Sequence, residues 1–350
     1  MYRKGFQLLT LSNILKNMVE NTQEKIVYLF GAGATHAEMI NLQKDLSETF
    51  LKKNGLLIGR VSQRVIKKFR GFRPHLKGIE TVSSPKGSLN IELLISLIEN
   101  NNIKDADKKI RILKNLVRTD ILNSLTRTRL KRFYLHKALL ELHSNTKQKE
   151  SLLGIISLNY DHVIDDAYKA VNGSKPNYCF SSESPNKTAL LKLHGSFNWR
   201  GIKICGRKRT VPIIPLGVHK NYLQIPYNFI WGRALEILTE CDILRVIGCS
   251  LSQNDIALID LLFKAHLEKE EAFELQIISS ESTAAQIKNN YGFFPKITSL
   301  AEIEGNLVPD LIQSGSDGNS FKIWLKAKAS RMLKEDEIKG TKYLRKLFDL

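Results

Sequence analysis

The sequence predicts an α/β protein with a doubly wound parallel sheet, a large helical insertion and a C-terminal helical tail. Three observations carry this expectation. Apolar runs at 26–30, 154–158, 189–193, 243–247 and 275–278 have the length and continuity of strands buried on both faces. Each run is followed by glycine, serine, asparagine or histidine, the small and polar groups expected where a parallel sheet meets its ligand. Segments with helical spacing of apolar residues separate the runs, as alternating strand–helix units require.

Composition sets the bounds. The chain has 350 residues, 43% hydrophobic and 25% charged, enough for a sizeable core in two domains or in one large domain with an insertion. Its 53 Lys and Arg outnumber 35 Asp and Glu, for a net charge of +18, which favours anionic ligands: nucleic acids, dinucleotides, acidic proteins or anionic membrane surfaces. Cys179, Cys205, Cys241 and Cys249 form no CxxC pair, which argues against a structural zinc knuckle and against a secreted disulfide framework. No apolar run approaches the roughly 18 residues of a membrane span, and no signal-peptide core follows Arg3 and Lys4. The expectation is a soluble, cytoplasmic protein without a membrane partner.

Residues 1–24 place Phe6, Leu8, Leu9, Leu11, Ile14, Leu15 and Met18 roughly on one helical face, an N-terminal arm suited to docking on the body or on another subunit. The main domain is expected over 25–300. Its first strand runs into Gly31, Ala32 and Gly33, then Ala34 and Thr35. Glycines there let the backbone turn sharply and approach a pyrophosphate, while the next helix offers N–H groups to its charge. This is a Rossmann-like start, but a full GxGxxG would need glycine at position 36, where His36 stands, which argues against an ordinary dehydrogenase. A tight turn without a ligand is the other reading of so short a glycine pattern.

From about 42 to 150 apolar residues recur at helical spacing and predict a helical insertion, for example Ile91, Leu94, Ile95 and Ile98. Within it, residues 52–77 carry Arg64, Lys67, Lys68 and Arg70 among other cations, with Phe69 and Phe72 interleaved. That run suits nucleic acid, or else a solvated basic face with two phenylalanines in a core contact.

The stretch 154–161 then ends in Asn159, Tyr160 and Asp161, groups that serve either a ligand mouth or an ordinary turn. Asp165 and Asp166 read as a helix start. The stretch 189–199 delivers His194, Gly195, Ser196, Asn198 and Trp199; histidine as a residue type suits a general base, and an isolated one equally suits a backbone-bonded core position. Residues 200–212 are basic and read as a loop, and 211–216 as a proline-rich loop or edge. A helix over 229–238 precedes the strand at 243–252, which presents Gly248 and Ser250; Asn254 and Asp255 open the next helix, and 275–280 is a further strand. The tail over 301–350 reads as an amphipathic basic helix that packs on the body, another subunit or an acidic partner.

Gly31–Gly33, residues 158–161 (Leu-Asn-Tyr-Asp), 192–195 (Lys-Leu-His-Gly) and 247–251 (Ile-Gly-Cys-Ser-Leu) stand in the order and approximate spacing of the sirtuin family. Over roughly 25–285 the chain resembles the sirtuin-like domains of bacterial antiphage defence systems. The resemblance implies NAD bound across the carboxyl edge of the sheet, with chemistry at the nicotinamide ribose. Gly31, Ala32 and Gly33, with Thr35 beside them, would cradle the pyrophosphate. Asn159 would orient the ribose or the attacking water, His194 would act as general base and Asp161 would shape the nicotinamide pocket. Gly248, Ser250 and the end of the 277–278 strand would flank the adenosine part.

The chain departs from protein-deacylating sirtuins in lacking a four-cysteine zinc module and a Pro-Asp-Phe-Arg segment after the glycine turn. No zinc is therefore expected, and water rather than an acyl group is the expected acceptor. The implied function is an NAD+ glycohydrolase that depletes NAD in antiphage defence, controlled by homo-oligomerisation, a partner ATPase or a phage-derived trigger. Other readings are a sirtuin-fold subunit of a DNA-associated ATPase complex and a deacylase or ADP-ribosyltransferase.

Overall fold

The computed structural model describes residues 24–41, 48–69, 91–100, 104–128, 134–141, 150–181, 188–199, 202–204, 207–209, 222–253, 255–269, 272–279 and 281–299. The expected N-terminal arm, residues 70–77 of the basic run, the 211–216 segment and the basic tail lie outside them.

β1 (Glu24–Phe30) leads into α1 (Ala32–Asn41). The insertion follows as α2 (Glu48–Asn54), α3 (Ile58–Lys68), α4 (Ile91–Asn100), α5 (Ala106–Arg127) and α6 (Tyr134–Glu141). The chain returns to the sheet through β2 (Glu150–Ser157), α7 (Val163–Asn172) and β3 (Ala189–Lys192). After β4 (Ile202–Ile204) and β5 (Arg207–Arg209), the second half comprises α8 (Tyr227–Glu240), β6 (Ile243–Ile247), α9 (Ile256–Glu268), β7 (Glu274–Ile278), α10 (Glu281–Asn290) and β8 (Ile297–Ser299).

The main sheet has the order β3-β2-β1-β6-β7-β8, and every pairing in it is parallel. The chain steps outward from β1 to β3, crosses back to β6 and steps outward again. Strand order therefore reverses between β1 and β6, which opens a crevice beyond their carboxyl ends. This is the doubly wound, Rossmann-type arrangement the strand runs predict.

The continuous apolar character of β1 has a direct cause. Ile26, Tyr28 and Phe30 pack on one face with Ala34 and Ala37 of α1, Leu139 of α6 and Ile164 of α7. Val27 and Leu29 pack on the other with Ile230 and Ala234 of α8 and Leu258 and Leu262 of α9. With helices on both faces, alternation would bury polar groups, so every position from Ile26 to Phe30 is fully buried and apolar in body. Each full burial contributes on the order of 1.5–3 kcal/mol for side chains of this size. Gly154 of β2 serves the same packing, since a Cβ there would lie 2.7 Å from Ile237 Cδ1 of α8.

The insertion has its own core of Val61, Val65, Ile91, Leu94, Ile95, Ile98, Ile110, Leu113 and Val117. Tyr160 and Phe197, from the loops after β2 and β3, enter this core and stack with ring centroids 5.5 Å apart. The helical insertion is thus seated on the carboxyl edge of the sheet. An ionic clasp ties α3 to α5: buried Asp120 meets Arg64 Nη2 at 2.6 Å and Lys68 Nζ at 2.9 Å. Arg64 also donates to the carbonyls of Lys52 and Gly55. Two cations of the basic run are therefore structural, and Phe69 packs against the insertion core.

Two local expectations change, and two elements are added. The basic segment read as a loop contains the antiparallel pair β4–β5, because Ile202, Lys203 and Ile204 alternate apolar and basic with the period of a strand. Helix α7 starts at Val163, ahead of Asp165, with Val163 N donating to Asp161 Oδ1. The sequence pattern did not suggest α10 or β8: the first is polar in composition and the second has only three residues.

Replacing Asp120 with alanine should lower the unfolding free energy by roughly 2 kcal/mol, since Arg64 would keep a mostly buried charge without its carboxylate while half-exposed Lys68 could turn to water. Urea denaturation of the wild type and Asp120→Ala checks this; coincident midpoints would refute the clasp.

Candidate active site

A cavity of about 370 Å³ occupies the crevice between β1 and β6. Its floor comes from the loops after four strands: Gly31, Ala32, Gly33 and Thr35 after β1; Asn159, Tyr160 and Asp161 after β2; His194 after β3; and Gly248, Cys249, Ser250, Ser252 and Asp255 after β6. Ser279 and Thr283 extend it toward β7. The insertion closes the other side with Leu57, Ile58, Val61, Glu92, Val117 and Ile121. Every site residue anticipated from the sequence lines this one cavity, whereas the contribution of the insertion carried no local signal.

The glycines act by close packing. Gly31 N donates to Ile247 O at 3.0 Å and Gly33 N to Gly248 O at 2.7 Å. A Cβ on Gly31 would stand 2.6 Å from Cys249 Cα, and one on Gly33 would stand 2.6 Å from Gly248 O. Gly248 itself has φ +58°, a conformation that favours glycine. The amides of Gly31 and Gly33 are consumed by this contact with the β6 loop. The N–H of Ala32, in the first turn of α1, has no intrahelical partner and sits at the positive end of the helix dipole. His36, at the position where a dinucleotide fingerprint would have its third glycine, accepts a hydrogen bond at Nδ1 from Leu56 N and so ties α1 to the insertion.

Asn159 is fixed by two donations from Nδ2, to Gly31 O at 2.9 Å and to Thr35 Oγ1 at 3.2 Å. The Thr35 hydroxyl then donates to Asp161 Oδ1 at 3.4 Å. The chain of donors has one direction, Asn159 to Thr35 to Asp161. Both amide protons are used, so Oδ1, an acceptor, is the amide atom of Asn159 that remains for a ligand.

Beneath the 158–161 loop lies Lys192, fully buried at the end of β3. Its Nζ is 2.8 Å from Asp165 Oδ2 and also donates to the Asp161 carbonyl. Tyr178 donates to the other Asp165 oxygen, and burial, followed by that carboxylate, pushes its phenol well above the usual range. A buried lysine is tolerable only with such partners, so it holds the Asp161 backbone from below. A lysine inside an otherwise apolar strand was the sequence signal for it.

His194 Nε2 lies 3.1 Å from Asp255 Oδ2, with the two side chains 8% and 10% exposed. Asp255 also caps α9, its Oδ1 accepting from Leu258 N at 3.2 Å. The sequence pattern marked Asp255 only as a helix opener. Tyr160 lies beside the imidazole, ring centroids 6.1 Å apart. Burial, then Glu92, raises the Tyr160 phenol well above its ordinary value, so it remains a neutral hydroxyl.

Electrostatically the cavity opposes the molecule around it. Among the described lining residues are the carboxylates Glu92, Asp161 and Asp255 and no Lys or Arg. In a chain of net charge +18 this is a place for positive charge. Among the described residues no cluster of His, Cys, Asp or Glu is arranged to hold a metal ion, and no helix is long and apolar enough to cross a membrane. Cys179, Cys241 and Cys249 are buried thiols outside any disulfide; burial pushes Cys241 up to about 12.

Residues 153–289 match the family described as SIR2-like domain. The matched span includes Asn159, Asp161, His194, Gly248, Ser250 and Asp255, and excludes the glycine turn. The comparison with curated proteins gives no match. Among solved structures, one described as "Structural Basis for the Mechanism and Regulation of Sir2 Enzymes" is 13% identical with a TM-score of 0.31, covering 92% of this chain and 100% of that one. A crystal structure of a Sir2 homologue–NAD complex is 14% identical with a TM-score of 0.33, covering 92% and 94%.

Thr35→Val keeps the shape of the side chain but removes both hydrogen bonds of its hydroxyl. It should lower the unfolding free energy by about 1–3 kcal/mol, while Thr35→Ser retains most of it. Thermal unfolding of the three proteins checks this, and equal transitions for Val and Thr would remove the relay from the account.

Proposed function

We propose that this chain hydrolyses NAD+ at the nicotinamide–ribose bond, releasing nicotinamide and ADP-ribose. The observation that carries the reading is the meeting of Asn159 and His194 in one cavity whose described lining holds three carboxylates and no Lys or Arg. As the C1′–N1 bond breaks, its electron pair passes to the pyridinium nitrogen, so nicotinamide leaves neutral and the ribose gains oxocarbenium character. Glu92, Asp161 and Asp255 favour that developing charge, and they do so most in the transition state. Asn159 Oδ1 accepts from a ribose hydroxyl or the attacking water. The water oxygen bonds to C1′ and the proton it loses passes to His194, which releases it to solvent; one water is consumed and one proton is produced.

At the centre of the dinucleotide, the N-terminus of α1 suits the pyrophosphate. Gly248 and Ser250 would stand on the adenosine side, and Asp161 on the nicotinamide side. The apolar wall of Leu57, Ile58, Val61, Val117 and Ile121 offers an extended peptide no row of hydrogen-bonding groups, which supports water over an acyl-lysine as the acceptor. This chemistry needs no metal.

The cellular role we infer is NAD depletion during antiphage defence in the cytoplasm, supported by the resemblance of the four motifs to sirtuin-like defence domains. Uncontrolled NAD hydrolysis is toxic, so the activity would be governed by homo-oligomerisation or by a partner, such as an ATPase or a phage-derived trigger. A DNA-associated role has less support, since Arg64 and Lys68 are committed to Asp120.

Chromatography of NAD+ incubated with the purified chain over a wide range of protein concentration tests the reading. Nicotinamide should accumulate, and Asn159→Ala and His194→Ala should each lose on the order of 10²-fold or more in rate. Release unchanged by either substitution would overturn the assignment.

A further inference from the structure

Asp255 serves two contacts with one carboxylate. Oδ1 closes the first turn of α9 through Leu258 N, and Oδ2 meets Nε2 of His194. The two residues come from opposite halves of the sheet, His194 from the end of β3 and Asp255 from the loop after β6. An aspartate at a helix start needs no partner beyond the cap, so the second contact calls for its own explanation.

Chemistry supplies one. A carboxylate oxygen only accepts, so the imidazole nitrogen facing it carries the proton, and in a neutral ring the lone pair is then on the other nitrogen. We propose that Asp255 is the positioning residue of His194: it holds the neutral imidazole in the Nε2–H tautomer and makes Nδ1 the atom that receives the proton of the attacking water. Its negative charge also lies beside the ring when the ring becomes cationic. The other ionisable groups among the described lining residues are Glu92 from the insertion, His36 from α1, Asp161 and Tyr160 from the loop after β2 and Cys249 after β6, and Tyr160 stays neutral. The contact on which the assignment rests is the 3.1 Å approach of Asp255 Oδ2 to Nε2. The catalytic consequence rests on the proposed NAD+ hydrolysis, whereas the tautomer does not.

Asp255→Asn separates the two duties. Asparagine caps a helix about as well as aspartate, so α9 should persist. With its oxygen retained as the cap, its amide nitrogen presents a donor to Nε2 and should select the Nδ1–H tautomer. Nitrogen NMR of the full-length chain labelled with 15N-histidine, the His194 signals identified by their loss in His194→Gln, reads this directly. The wild type should show the Nε2–H pattern and Asp255→Asn the reverse. Nicotinamide release by the variant should fall by about 10²–10⁴-fold in kcat with little change in KM for NAD+.

Asp255→Ser guards against misfolding, since it keeps a capping oxygen but does not reach His194. It should lose activity similarly without reversing the tautomer. An Nδ1–H pattern in the wild type, identical tautomers in wild type and Asp255→Asn, or undiminished kcat in the variants of an active chain would overturn the role of Asp255. A wild type that releases no nicotinamide would count instead against the hydrolase reading, and the NMR comparison would still decide the tautomer.

Discussion

The turn after β1 and the turn after β6 touch backbone to backbone, with the amides of Gly31 and Gly33 donating to the carbonyls of Ile247 and Gly248. A methyl group on Gly31, Gly33 or Gly248 would fall inside van der Waals contact with the facing chain. This approach sets the width of the crevice where strand order reverses. It also aims the Gly31 carbonyl at Asn159, whose amide it accepts, and through Asn159 it orders Thr35 and Asp161. The placement of the Asn159, Thr35 and Asp161 side chains therefore depends on a backbone contact in which none of them takes part.

Charge is distributed to the same end. The chain is strongly basic, yet several of its cations serve as struts: Lys192 beneath the Asp161 loop, and mostly buried Arg64 with half-exposed Lys68 on Asp120 in the insertion. Arg245 of β6, itself buried, donates to Gln276 of β7 and lies 5.8 Å over the Tyr28 ring of β1, joining three neighbouring strands. Buried ion pairs of this kind add little net stability against apolar substitutes, but removing one partner is expensive, so they specify arrangement. Among the described residues the cavity lining is left with carboxylates and no Lys or Arg, and that local sign suits a group that carries or develops positive charge.

Much of this was legible in the linear sequence. The five strand runs are buried on both faces and hence continuously apolar, a pattern that survives without any knowledge of neighbours. Asn159 and His194 were recognisable because polar groups directly after such runs must emerge at one edge of a parallel sheet. What stayed hidden had no periodic signal. β8 is too short and α10 too polar to register, and the β4–β5 pair was masked by its charge. The partnership of Asp255 with His194 joins residues separated by most of the second half of the fold, and nothing local distinguishes a capping aspartate that has a second contact from one that does not.

By itself, then, the sequence determined the doubly wound sheet, the edge at which its polar strand-end groups gather and the identity of most of the groups that line the cavity there, because burial on two faces and strand-end polarity are local consequences of amino-acid type. Only the tertiary structure decided how they are used. It spent the Gly31 and Gly33 amides on the β6 turn, left Asn159 its carbonyl oxygen, paired His194 with Asp255 and laid the insertion over the cavity. Each of those outcomes depends on the approach of distant segments to within hydrogen-bonding or van der Waals distance, which neither spacing nor composition encodes.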